Sequence, residues 1–130
     1  MTATATATTA SVAQELVAFC RARRNMDAIN KLYSPNIESV EPVETPVMPA
    51  VMHGIDAIRQ KNVWWVENNE IHSAEARGPF VGEDQFSVHY IFDTTFKPTG
   101  ARRTREEMAL YTVKDGQIVR EQFFYNAATA

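Results

Sequence analysis

The chain predicts an α+β fold in which three N-terminal helices pack on one face of a curved, mostly antiparallel sheet. Two observations carry this. Apolar residues recur with a helical period up to about residue 68 and alternate with period 2 from Glu70 onward. The alternating segments are separated by Gly82-Glu83-Asp84, Lys97-Pro98-Thr99-Gly100 and Lys114-Asp115-Gly116, each with the chemistry of a tight turn, as a meander requires.

The elements follow in order. Ser11 with Gln14 three residues on suits a capping box, opening a helix whose apolar stripe is Val12, Leu16, Phe19 and Cys20. After Asn25 a second, short helix turns Met26, Ile29, Leu32 and Tyr33 inward. Ser34-Pro35 stops it, because the residue before a proline disfavours the α region. Residues 36–41 alternate as a short strand with Ile37, Ser39 and Glu41 on one face, and Pro42, Pro46 and Pro49 then impose an irregular loop. Gly54 precedes a third helix over about 55–68 with Ile58, Lys61 and Trp65 on one side. Four strands fit at about 70–77, 85–96, 102–113 and 117–125.

The strand faces bear on function. In the strand from Gln85, Phe86, Val88, Tyr90 and Phe92 share the face that should meet the helices. Two registers compete for the last hairpin. A three-residue Lys114-Asp115-Gly116 loop pairs Ala109 with Glu121, whereas a two-residue Asp-Gly loop shifts the final strand by one residue and turns its side chains over. The three-residue loop is preferred, and it places Glu107, Ala109 and Tyr111 on one face with Val119, Glu121, Phe123 and Tyr125. Ile91, Met108, Leu110, Ile118 and Phe124 then occupy the other face. A sheet apolar on both sides implies a homodimer through its outer face.

Composition narrows the classes. The 130 residues are 45% hydrophobic and 22% charged, as in an ordinary folded domain. Residues 1–10, rich in Thr and Ala, read as a flexible low-complexity tail without the charge and apolar centre of a secretory signal, and 11–126 as a single domain. The net charge of −3 argues against nucleic acid or an anionic membrane as partner, and no apolar run is long enough to span a bilayer. Cys20 is the single cysteine, which excludes an internal disulfide and fits a reducing, cytoplasmic setting. His53, His72 and His89 lack the close spacing of helical metal ligands, and no phosphate or dinucleotide loop and no nucleophile elbow occur, so neither metal nor cofactor is expected. The clusters Arg21, Arg23, Arg24 and Arg102, Arg103, Arg105 read as solvated surface.

Three segments carry a resemblance: Val-Trp-Trp-Val-Glu-Asn-Asn-Glu-Ile-His-Ser at 63–73, Gly-Pro-Phe at 78–80, and the run from Glu107 to Tyr125 containing Asp-Gly-Gln-Ile-Val-Arg-Glu. With the element order, they resemble the SnoaL-like branch of the NTF2-like superfamily, which includes ketosteroid isomerases and polyketide cyclases. The resemblance implies a cone-shaped α+β barrel, one pocket inside the cone and, often, dimers through the sheet. The superfamily covers isomerases, cyclases, dehydratases and proteins that only bind or assemble, so the fold does not decide the activity. By similarity to the isomerases, Glu41 in Val40-Glu41-Pro42 takes the place of the catalytic aspartate. Their two oxyanion donors fall at about Leu16 and at Ala109, which cannot donate, so steroid isomerisation by that mechanism is not expected.

The inward set then makes a candidate site. Trp65, Phe86, Val88, Tyr90, Phe92, Tyr111, Phe123 and Tyr125 would form an apolar lining around Glu41, Lys61, Glu107 and Glu121. Desolvation raises a carboxyl pKa toward neutrality and a neighbouring lysine lowers it, so unequal surroundings divide acid and base roles. The expected function is cofactor-independent acid–base chemistry (isomerisation, cyclisation or dehydration) on a small hydrophobic, ring-containing molecule. Two other readings fit the same residues. One is a binding module for an apolar metabolite, the other a dimeric interaction domain whose pocket is vestigial.

Overall fold

Residues 7–126 are described, in a computed structural model. Helix α1 spans Thr9–Arg21 and starts earlier than Ser11. Thr8 is the cap: its hydroxyl accepts from the Ser11 amide at 3.1 Å, while its own amide donates to the Ser11 hydroxyl at 2.9 Å. Ser11 therefore closes the box rather than opening it. The tail expected over 1–10 loses its last residues to this start, and residues 1–6 lie outside the described ones.

Helix α2 is Asn25–Leu32, and the chain enters strand β1, Tyr33–Val40, with no intervening loop. Pro35 denies Ser34 the helical conformation, so Tyr33 becomes the first residue of a strand instead of the last of a helix. The proline-rich loop contains an element the pattern did not disclose: β2, Val51–His53, pairs antiparallel with β1 through Ser39 and Met52. Gly54, at φ 89°, turns the chain into α3, Ile55–Asn68. The meander follows as β3 Asn69–Val81, β4 Gln85–Phe96, β5 Ala101–Lys114 and β6 Gln117–Phe124.

The six strands form one sheet in the order β2-β1-β6-β5-β4-β3, antiparallel except where β1 runs parallel to β6. The last hairpin differs from the expected register. Asp115 and Gly116, both at positive φ (52° and 74°), make a two-residue turn that pairs Lys114 with Gln117 and Val113 with Ile118. A bulge at Val119 then shifts the pairing, so that Arg120 opposes Thr112 and Glu121 opposes Tyr111. The bulge turns Glu121 and Phe123 inward, as the three-residue loop would have done, but it also places Ile118 in the core rather than on the outer face.

Helix α1 lies across β3 and β4, and α3 lies against β1. Val12, Leu16, Val17, Ile37, Phe86, Val88 and Ile118 are fully buried and belong to one core. Arg21 ties α1 to the sheet by donating to the carbonyls of Ala76 and Gly78. Among the described residues no helix is long and apolar enough to cross a membrane.

Candidate functional site

Strand register sets the inner wall of the cone. Ser39 on β1, Glu121 on β6, Tyr111 on β5 and Phe86 on β4 form one row across four strands. Further along β5, Glu107 faces Tyr90 and Arg105 faces Phe92. Because side chains alternate across a strand, all of these point to the same side. Beside the core the wall is not filled, and a cavity of about 620 Å³ remains. That volume suits a small organic molecule.

Glu41, Lys61, Glu107 and Glu121 all line this one cavity, together with Trp65, Tyr90, Phe92, Tyr111, Phe123 and Tyr125. Phe86 and Val88 do not. They share the inward face but lie under α1, where Phe86 stacks on Tyr111 with ring centres 4.8 Å apart. Alternation identifies a face; it does not say how deep along the cone a residue sits.

Glu121 is held on both carboxylate oxygens. The Ser39 hydroxyl donates to Oε1 at 2.9 Å and the Tyr33 hydroxyl donates to Oε2. Lys61 Nζ donates to Ser39 Oγ at 2.7 Å and to Glu41 Oε1 at 3.1 Å, and stands 3.8 Å from Glu121. The ammonium also lies 5.0 Å from the centre of the Phe123 ring. One lysine thus bridges Glu41 and Glu121, with Ser39 as the link.

Glu107 is in a different position. Its side chain is 10% exposed, and Arg105 Nη2 stands 3.6 Å from it, beyond hydrogen-bond length. Burial pushes its carboxyl up to about 7, against the opposing pull of Arg105. Across the strand pair, the Tyr90 and Tyr111 hydroxyls are 2.7 Å apart, and Cys20 Sγ lies 3.6 Å from Tyr90. Burial raises both tyrosines well above their ordinary pKa, so they stay protonated donors. It also raises the Cys20 thiol, which keeps that sulfur protonated and a poor nucleophile. Tyr125 is raised likewise, first by desolvation and then by the charge of Glu41.

Several lining residues escaped the sequence reading. Tyr33 reaches the cavity from the start of β1, and Trp64, Val43, Val47 and Met48 close its sides. Arg103 and Arg105, read as solvated surface, are on the cavity wall, while Arg102 points away to Asp93. Two-residue spacing from Glu107 along β5 was the available signal. Leu16 and Ala109, the positions at which the resemblance places the isomerases' donors, are both buried. Among the described residues no three His, Cys, Asp or Glu side chains converge as metal ligands would.

The model of the SnoaL-like domain matches residues 7–125. A protein of Mesorhizobium loti, provisionally named a SnoaL-like polyketide cyclase, is 42% identical, with 89% of this chain and 97% of that one covered and a TM-score of 0.84. An NTF2-like protein from Burkholderia thailandensis superposes with a TM-score of 0.81 at 18% identity, over 94% and 93% of the two chains. A protein with a ketosteroid isomerase-like fold from Catenulispora acidiphila, in complex with trimethylamine, gives 0.71 at 15% identity over 94% and 90%. A search of curated proteins finds no match.

Proposed function

Since the chain belongs to the SnoaL-like domain family, whose fold is NTF2-like, we propose that it catalyses a cofactor-independent proton transfer on a ring-containing carbon acid, of the isomerase, cyclase or dehydratase type. The observation that carries this is Glu107, a carboxyl brought to about 7 within the cavity and set across the strand from Tyr90. A base with a pKa near the working pH combines a useful ionised fraction with real basicity. Directly opposed residues on paired strands have Cβ atoms roughly 5 Å apart, so one small molecule can touch both.

The chemistry follows from the groups present. Ionised Glu107 takes the proton from carbon beside a carbonyl. As charge moves to the carbonyl oxygen, whichever of the Tyr90 and Tyr111 hydroxyls does not spend its proton on the other donates to it. Protonated Glu107 then returns the proton to a different carbon, which is isomerisation. Alternatively the enolate carbon attacks a second carbonyl of the same molecule and Glu107 protonates the new alkoxide, which is cyclisation. If Glu107, again ionised, then takes a second proton from the carbon beside the carbonyl and gives it to the departing hydroxyl, a carbon–carbon double bond forms and water leaves, which is dehydration. Lys61, Ser39 and Glu121 form a fixed, mutually satisfied cluster that supports the wall. The apolar flank, with Trp65 and Phe92 rings 5.4 Å apart, suits a planar ring system.

Deuterium exchange tests proton abstraction without knowledge of the natural reaction. 2-Tetralone in deuterated buffer should exchange its acidic C–H faster with the protein than without it, and Glu107→Gln should remove about 10²- to 10⁴-fold of that acceleration. No acceleration by the wild type, or equal acceleration by Glu107→Gln, contradicts the proposal and leaves a binding module as the better reading.

A further inference from the structure

The inner face of β5 changes character along its length. Tyr111 and Ala109 are buried, Glu107 comes next, and Arg105 and then Arg103 line the cavity toward its exposed rim. Lys61 is committed to Glu41 and Ser39. Arg105 is placed otherwise: its side chain is 25% exposed, its contact to Glu107 is an ion pair at 3.6 Å, and its guanidinium rests 5.1 Å over the Tyr125 ring. Stacking fixes the plane of the fork while a long ion pair satisfies only part of it. On the neighbouring strand Phe92 stands directly opposite, so an apolar surface adjoins the cation.

Resting on the acid–base reading of Glu107, we propose that the molecule taken into this cavity carries a carboxylate, seated on Arg105, while its ring body lies against Phe92 and Trp65. Residues two apart on one strand face are about 6.6 Å apart at the backbone. The same spacing separates Arg105 from Glu107 and places the acidic carbon roughly one ring width from the carboxylate. The two sites are coupled. A carboxylate arriving at Arg105 replaces Glu107 as its partner and removes the larger of the two attractions that oppose the burial of Glu107, Lys61 supplying the other while Glu41 and Glu121 act with the burial. Glu107 then holds a proton more tightly, and binding slightly above neutral pH is accompanied by proton uptake.

Calorimetry with anthracene-2-carboxylate and its primary amide, which differ in charge and little in shape, tests this on the intact chain. The acid should bind wild type about tenfold or more tightly than the amide. Arg105→Gln should abolish that preference, and Glu107→Gln should keep the preference but lose the proton uptake, read from the buffer dependence of the heat. Raising the ionic strength should weaken the acid and not the amide, a contrast that needs no variant. Equal binding of acid and amide, binding of neither, or a preference that survives Arg105→Gln overturns the carboxylate seat. A Glu107→Gln protein that retains deuterium exchange overturns the base assignment instead, and the carboxylate preference is read independently of it.

Discussion

Ser39 on β1 lies in register with Glu121 on the parallel strand β6, and its hydroxyl donates to the Glu121 carboxylate at 2.9 Å while accepting from Lys61 at 2.7 Å. The pairing arises where the chain's first strand meets its last, so it locks the two ends of the domain together. The Glu121 side chain is 3% exposed, and removing one partner of such a buried pair strands the others. Glu121→Ala should lower the unfolding free energy by about 3 kcal/mol, and Ser39→Ala by about 1–3 kcal/mol, in urea titrations with unchanged slope. An unaltered midpoint in both would show the cluster to be without structural weight.

Glu107 should make stability depend on pH. Its folded-state pKa, about 7, lies above the ordinary 4.5, so between those values the folded state binds more protons than the unfolded one. The stabilisation is complete below about pH 4.5 and is lost as the pH rises through about 7, for a total near 3 kcal/mol. Glu107→Gln, which cannot ionise, should match wild type at about pH 4 and exceed it by up to about 3 kcal/mol at about pH 8. A stability difference that does not grow across this window contradicts the raised pKa.

The closed core and the cavity wall should respond differently to truncation. Phe86 is fully enclosed beneath α1, whereas Phe92 faces the cavity. Phe86→Ala should cost about 3–5 kcal/mol, with thermal unfolding as the measurement. Phe92→Ala should cost distinctly less and instead weaken binding of anthracene-2-carboxylate. Equal losses of stability would mean that the two rings are packed alike.

On the outer face, Met108 and Phe124 are directly paired across β5 and β6 and are 38% and 48% exposed. We propose that a second copy of the chain covers this patch, with Ile91 and Leu110 beside it. Light scattering at micromolar concentration should give a dimer, and Met108→Glu combined with Phe124→Glu should give a folded monomer. A strictly monomeric wild type refutes this.

Much of the architecture was legible because it depends on local chemistry. The change of period near Glu70, the turn residues and Pro35 were enough to place three helices and the meander. Features that depend on contacts remote in sequence were not legible. Strand β2 exists only because an edge of β1 was open to it, and the bulge at Val119 is set by pairing with β5 rather than by any residue in the turn. At the site, alternation correctly brought Glu107, Tyr90 and Tyr111 to one face; Glu121 joins them through the bulge, not through the turn expected for it. Alternation could not rank Phe86 and Val88 as too deep, and reading Arg102, Arg103 and Arg105 as one cluster hid the two that share the face of Glu107. A charge run on a strand has two sides, and only the register tells which side is wet.

The most direct measurement is the ionisation of Glu107 itself, followed by carbon NMR of side-chain-labelled glutamate with Glu107→Gln for assignment. The expected result is a carboxyl titrating at about 7 that shifts upward when anthracene-2-carboxylate binds. A titration in the ordinary range near 4.5 would mean that the carboxylate is solvated, and the proposed proton transfer would have no base.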